Sequence, residues 1–197
     1  VNSTNEFLVE YNLLELNSRY HLTEFTGSTG DVLFTQDKIY LFVDTRYHEQ
    51  ADNQDNHEYI EVVKMPLSQS FLNALTEIVP AYFKLGIIST KTSKKFFENL
   101  TKKLQQKNST IKLLNTDPVM EYKKDSIKET NYNIFKIDTK IAGITPDEKY
   151  TKIKEYLGSN FNILVTSLED IAYLTNLRSY DFEYSAILAK KALCRNV

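Results

Sequence analysis

Cysteine is nearly absent: Cys194 is the only one. A single thiol excludes a disulfide framework and a cysteine-rich zinc site within the chain. A small buried hydrophobe or a plain end-of-chain thiol is the simpler reading of Cys194 than a nucleophile. Tryptophan is missing altogether, so aromatic bulk comes from 13 Tyr and 11 Phe. Neither sign of charge dominates: 24 Lys and Arg against 26 Asp and Glu leave a net charge of −2. That is no electrostatic footprint for nucleic acid or an anionic membrane. No apolar run approaches the ~20 residues of a membrane-spanning helix. The first residues, "VNSTNEFLVEYN", lack the basic, apolar and small-residue order of a secretory signal, and there is no initiator Met, as in a chain trimmed at its start. The expectation is a cytoplasmic protein with neither nucleic acid nor membrane as a partner.

What is present suits a globular α/β protein. Apolar residues make up 42% of 197 residues, enough for a sizeable core. "EFLVEY" (6–11) reads as a short buried strand. "DVLFTQDKIYLFVD" reads as two strands, 32–35 and 39–43, joined by a polar turn at Gln36-Asp37-Lys38. The second is apolar on both faces, as in a strand covered by helices on each side. "TRYHEQADNQ" reads as a helix opened by Asp44 or Thr45. "EYIEVVKM" is a strand, 68–79 a helix ended by Pro80, and "KLGIIS" a strand. Ser93 caps a helix with Phe96, Phe97, Leu100 and Leu104 on one face; "TIKLLN" is the next strand, and Asp117-Pro118 turns the chain. This alternation of strand and helix is that of an α/β domain.

Residues 122–140 are polar and lysine-rich, a linker or extended connection. A strong helix start follows: Thr145 as cap, Pro146 in the first turn and Glu148 closing a Thr-x-x-Glu box, with Gly158 just past the end. "FNILVT" is a strand, and Ser167 caps "IAYLTNL". A second α/β unit thus begins near Thr145. Its stretch Ala172-Tyr173-Leu174-Thr175-Asn176-Leu177-Arg178-Ser179 can be laid against Tyr20-His21-Leu22-Thr23-Glu24-Phe25-Thr26-Gly27-Ser28, and a candidate strand pair follows each. A few matched residues make this a weak sign of two copies. The expected division is 1–143 and 144–197.

The candidate chemistry favours scaffold over catalysis. Gly27-Ser28-Thr29-Gly30 is followed by Asp31 and a strand, not by the Lys-Ser/Thr and helix of a phosphate loop. Nor does it match a nucleophile elbow, whose serine lies between strand and helix; a glycine turn is the favoured reading. His48 and Asp52 stand one helical turn apart, as a metal chelate would, but no second ligand pair follows. His57 sits in a polar loop. Asp44 and Arg46 follow a buried strand, where α/β proteins often carry function, yet a helix cap and ion pair explain them as well. Arg178, Asp181 and Glu183 form a charged loop that either meets a partner domain or is simply solvated.

Phe25-Thr26-Gly27-Ser28-Thr29-Gly30, then Val43-Asp44-Thr45-Arg46-Tyr47, then Gln50-Ala51 resemble the N-terminal domain of Xaa-Pro aminopeptidases. Val43 stands where Thr is usual and Thr45 where Gly is usual. "TSLEDIAYLTNLRSYDFEYSAIL" resembles the start of the middle domain in three-domain members, with Tyr173 in place of Trp and Ser185-Ala186 in place of Asn-Pro. The resemblance implies a creatinase/aminopeptidase P N-terminal-like, ribonuclease H-like α/β fold: a mixed sheet flanked by helices, followed by an incomplete second copy. It implies a parent metallopeptidase that releases the residue before a proline, using two divalent metal ions, Mn or Zn, in a C-terminal catalytic domain. The ligands of that centre, two aspartates, a histidine and two glutamates, belong to that domain. No catalytic, cofactor-binding or metal residue is therefore assigned in this chain. The implied partners are its own catalytic domain, short Xaa-Pro peptides bound there, and a second copy in a homodimer. A dipeptidase or creatinase-type hydrolase with one N-terminal domain, and a stand-alone non-catalytic module, remain as alternatives.

Overall fold

The structure is a computed structural model describing residues 1–10, 12–55, 58–127, 133–158, 162–180, 185–187 and 192–195. The chain divides into two compact units, Val1–Lys128 and Glu129–Val197.

In the first unit the elements run α1 (Ser18–Thr23), β1 (Asp31–Phe34), β2 (Ile39–Val43), α2 (His48–Gln54), β3 (Ile60–Lys64), α3 (Phe71–Ile78), β4 (Lys84–Ile88), α4 (Lys94–Gln105), β5 (Thr110–Leu114) and α5 (Pro118–Lys123). β1 pairs antiparallel with β2, which pairs parallel with β3; β4 and β5 form a separate parallel pair. The alternation of β2 explains its two apolar faces. Ile39, Leu41 and Val43 join Phe25, Val32, Ala51 and Ile60 in one core cluster, while Phe42 joins Leu33, Leu75, Leu85, Leu100 and Leu104 in the other. Side chains alternate across a strand, so a run apolar at every position is stable only when both faces are covered. Burying Phe42 completely contributes about 2–3 kcal/mol.

Most helix ends follow local chemistry. Ser70 and Ser93 accept the amides of Asn73 and Phe96, opening α3 and α4. α3 ends at Ile78, two residues before Pro80. Its last turn is also held from a distance, because the Lys107 ammonium donates to the carbonyls of Thr76 and Val79.

Two expectations are corrected and one helix is added. Residues 6–10 form no strand: the Asn5 side chain accepts the amides of Phe7 (2.9 Å) and Val9 (3.4 Å), and Leu8 has φ 61°, so the segment is wound into turns. α1 was not apparent in the sequence; Asn17 caps it by accepting the amides of Arg19 and Tyr20. Asp117-Pro118 is a helix start, with Asp117 accepting from Val119 and Met120 and proline in the first turn of α5.

The second unit contains β6 (Phe135–Lys136), α6 (Thr139–Ala142), α7 (Pro146–Leu157), β7 (Asn162–Val165), α8 (Leu168–Thr175), β8 (Leu177–Arg178) and β9 (Ala192–Arg195). β6 pairs antiparallel with β8, and β7 with β9. The polar connection therefore includes a paired strand, too short at two residues to show any periodicity. The capping box of α7 forms as expected: Thr145 accepts the Glu148 amide (3.2 Å), and Glu148 accepts the Thr145 amide (2.8 Å). That backbone hydrogen bond, with one from the Thr145 hydroxyl, holds the Glu148 carboxyl below the usual carboxylate range. Gly158 ends α7 with φ 85°.

Candidate functional site

The residues that carry the sequence resemblance converge in space around the turn at Gly27–Gly30. Arg19, on α1, lies beneath it with 1% of its surface exposed. Its Nη2 donates to the Gly27 carbonyl, and its guanidinium carbon sits 5.0 Å from the centroid of the Phe25 ring. Nε and Nη1 of Arg19 have no hydrogen-bond partner among the described residues. Burial pushes this guanidinium down to about 10, against the opposing charge of Asp31, so it stays protonated at neutral pH. The ring face of Phe25 supplies part of the missing solvation.

The glycines are required by this packing. A Cβ on Gly27 would lie 2.3 Å from the Phe25 ring and 2.9 Å from Tyr47. One on Gly30, at φ 148°, would lie 3.2 Å from both Arg19 Nη1 and the Phe42 carbonyl.

Above the turn is a polar lattice. Ser28 Oγ donates to Glu10 (2.7 Å) and lies 2.6 Å from the Tyr47 hydroxyl. Tyr47 in turn packs edge-on against Phe25 at 5.8 Å. Arg46 grips Asp44 in a two-pronged pair, Nε to Oδ1 at 3.0 Å and Nη2 to Oδ2 at 2.8 Å, and Nη2 also reaches the Thr29 hydroxyl at 3.2 Å. Asp44 Oδ1 accepts the Arg46 amide as well, capping the short 3₁₀ turn Thr45–Tyr47. The hydrogen bonds from Arg46 hold the Asp44 carboxyl below its ordinary range. Gln50 and Gln54 both donate to the Thr26 hydroxyl, and Gln54 accepts the Thr26 amide. Ala51 lies underneath, 1% exposed.

This arrangement anchors a turn. Ser28 has a carboxylate and a phenol as partners, and no imidazole among its described partners to take its proton during attack. Asp44 and Arg46 act as cap and ion pair, with the Arg46 side chain 62% exposed at the surface. His48 faces the Met65 carbonyl (3.2 Å), while Asp52 pairs with Lys64, so the two do not meet as a chelate. Among the described residues, no group of three or more His, Cys, Asp or Glu is placed to hold a metal ion. The described side chains on hand do not fit a two-metal centre.

Arg178 proves to be a helix-end residue. Its Nη1 donates to the carbonyls of Ala172 and Leu177, at the C-terminus of α8. Lys149, buried between α7 and α8, reinforces that end by donating to the Tyr173 carbonyl and to Asn176 Oδ1 (2.6 Å), its ammonium 3.8 Å from the Tyr173 ring centroid. Desolvation lowers its pKa, helped by the nearby charge of Arg178. His57, Asp181 and Glu183 lie outside the described residues, and the side chain of Cys194 is likewise outside them.

Sequence reasoning missed Arg19, Glu10, Gln54 and Lys149. Asn17 before Ser-Arg-Tyr-His was a usable cap signal for α1, but nothing in the chain marks Arg19 as buried. Glu10 was hidden by reading its segment as a strand.

Helices packed with small sheets, and a turn at Gly27–Gly30 braced by its neighbours, define a domain of the α/β class. The creatinase/prolidase N-terminal domain matches residues 7–122, and a second domain of that description matches 125–194. The chain belongs to the creatinase/prolidase N-terminal domain family. It is 30% identical over 173 residues to a probable Xaa-Pro aminopeptidase P from Laccaria bicolor, covering 86% of this chain and 27% of that protein. It is 29% identical over 192 residues to Xaa-Pro aminopeptidase 1 from Dictyostelium discoideum, covering 90% of this chain and 30% of that protein. The chain thus spans less than a third of these relatives. Its fold matches an X-prolyl aminopeptidase from Caenorhabditis elegans, a cytosolic enzyme with a di-nuclear active site, with a TM-score of 0.85 over 98% of this chain and 32% of that one at 22% identity. No helix among the described residues is long and apolar enough to cross a membrane.

Proposed function

We propose that this chain is the non-catalytic part of an Xaa-Pro aminopeptidase, two accessory domains that flank and narrow the cleft of a separate metal-dependent catalytic domain. The observation that carries this reading is the succession of two creatinase/prolidase N-terminal domain matches, at 7–122 and 125–194, within a chain that covers only 27% of a relative named as such a peptidase. In this reading the second unit is the start of the middle domain, and the parent enzyme is cytoplasmic. Two divalent ions, manganese or zinc, would be held by that catalytic domain and would supply the activation of a water. The residues of this chain contribute rigid walls. A braced turn and the buried pair of Lys91 with Asp117 suit that task, because a cleft excludes longer peptides only if its rim does not yield. Homodimer packing belongs to the same proposal.

The purified chain, incubated with Mn²⁺ and a short Xaa-Pro peptide, should release no N-terminal residue. A product of the same reading frame extended past Val197 should release it, and should contain the two aspartates, one histidine and two glutamates of the metal centre. Robust cleavage by the 197-residue chain would overturn the proposal. So would an extended product carrying those ligands that stays inert with both Mn²⁺ and Zn²⁺. A stop codon directly after Val197 would favour a stand-alone module.

A further inference from the structure

The guanidinium of Arg19 is the most deeply buried cation whose donors are only partly used. It carries five N–H groups in a rigid plane. Nη2 donates to the Gly27 carbonyl, while Nε and Nη1, both shielded from solvent, meet no acceptor among the described residues. Charged donors left without acceptors in the interior are costly, so they are normally paired. The neighbouring protein acceptors are already engaged. Asn17 Oδ1 takes the amides of Arg19 and Tyr20, and Asp31 Oδ1 takes the Ser3 amide. Thr23 turns its hydroxyl proton to the Arg19 carbonyl.

Gly30 shows where one missing partner sits. A point at the Cβ position of Gly30 lies 3.2 Å from Arg19 Nη1, 3.2 Å from the Phe42 carbonyl oxygen and 3.4 Å from the Phe25 ring. A donor and an acceptor thus flank the same bare side of the glycine without bonding each other. Two polar groups that face one another beyond direct reach are bridged by a water. A carbonyl oxygen has two lone pairs, so it takes a water alongside a ladder amide. Nε is served separately, because its N–H bond points away from Nη1 and one acceptor cannot meet both.

We infer that Arg19 is a hydration site: Nε and Nη1 each hold a buried water, and the water on Nη1 bridges to the Phe42 carbonyl beside the bare Cα of Gly30. Water fits better than an anion. The guanidinium already faces the opposing charge of Asp31, so an anion would bring a second negative charge into a desolvated site. A neutral water carries no such charge and both accepts and donates, as the Nη1 and Phe42 pair requires. Gly30 then serves two ends, its φ of 148° and room for the bridge. This inference concerns the turn alone and stands apart from the catalytic reading.

The test is a crystal structure of the 197-residue chain, grown from sodium bromide, at a resolution where single waters are visible. It should show one water within hydrogen-bond distance of both Arg19 Nη1 and Phe42 O, and a second at Nε. A direct bond from either nitrogen to a protein oxygen would overturn the inference, as would a dry site. A bromide anomalous peak there would assign the site to an anion and overturn it as well. Oxygen-17 relaxation dispersion supplies an independent count of long-lived waters. Gly30→Ala puts a methyl between Nη1 and Phe42 O and should hold one long-lived water fewer than the parent chain. Gly143→Ala, also at positive φ but with nothing within 4 Å, should keep the parent count. An unchanged count in folded Gly30→Ala would remove the bridge; if that variant does not fold, the parent crystal decides.

Discussion

Thr23 and Thr175 make the same pair of hydrogen bonds at the ends of α1 and α8. Each hydroxyl donates to the carbonyl four residues back, of Arg19 (2.9 Å) and Ile171 (2.7 Å), and each oxygen accepts the amide two residues on, of Phe25 (3.3 Å) and Leu177 (3.2 Å). The residue after each threonine is left-handed, Glu24 at φ 56° and Asn176 at φ 55°. A helix whose last threonine bonds backward while the next residue reverses the chain ends abruptly and sends the backbone into an extended segment. The two units share this device at positions that their sequences also align.

Replacing either threonine with valine keeps the shape and removes both bonds. Thr23→Val, at a buried site, should cost about 1–2 kcal/mol and lower the urea midpoint of the first unit. Thr175→Val should accelerate amide exchange within the second unit, at Leu177 above all. Thr→Ser should restore most of both effects. An unchanged midpoint for Thr23→Val would contradict a shared role.

The glycine turn predicts a ranking. Gly27→Ala forces a methyl against the Phe25 and Tyr47 rings and should cost about 1–3 kcal/mol. Gly143→Ala meets nothing within 4 Å and suffers only its φ of 76°, a cost of about 1 kcal/mol. Thermal melts of the two variants check the order, and the opposite order would show that the turn is loosely packed.

Asp117 and Lys91 form a buried pair at 2.8 Å, with Ser18 donating to the same carboxylate. Burial alone would push the Asp117 carboxyl up, but the hydrogen bonds from Lys91 and Ser18 and the lysine's charge together hold it below its ordinary value. A carboxyl lowered in the folded state stabilises fully above its unfolded pKa, near 4, and that contribution fades as pH falls through the folded value. Lys91→Met leaves a buried charge without its cation and should cost about 3–5 kcal/mol at pH 7. The gap from the parent chain should narrow below pH ~4, as the stranded carboxylate of the variant takes up its proton first. Urea titrations at pH 7 and pH 3.5 measure this; a gap independent of pH would remove Asp117 from the explanation.

Asp44 should matter more than Arg46. Asp44→Ala removes the cap of the 3₁₀ turn along with the ion pair and should cost about 1 kcal/mol. Arg46→Ala removes an exposed pair that water and salt largely replace, so its effect should be smaller and should vanish in 1 M NaCl. Chemical denaturation at two salt concentrations separates them. A larger loss for Arg46→Ala would mean that the arginine does more than brace its own turn.

Much of the fold was legible because its signals are local. The alternation of β2, the Ser93 and Thr145 caps and the apolar stripe of α4 each depend on residues within a few positions of one another. Strand 6–11 failed for the same reason: Asn5 lies just outside the apolar run, and its side chain takes the amides a strand would have used. Asp44 and Arg46 could be read as a cap and pair from adjacency alone. Arg19 could not, because its burial depends on a turn eight residues away and on the ring of Phe25.

The sequence by itself determined many of the strands and helices and the family, since periodicity, caps and motifs are written along the chain. Only the tertiary structure decided what the motif does. It brought Glu10, Arg19, Ser28, Asp44, Arg46 and Tyr47 to one turn and made Lys107 and Lys149 into distant helix caps. Burial and hydrogen-bond partnership between remote residues are properties of the packed chain, and these decide whether Gly-Ser-Thr-Gly is a reactive loop or a brace.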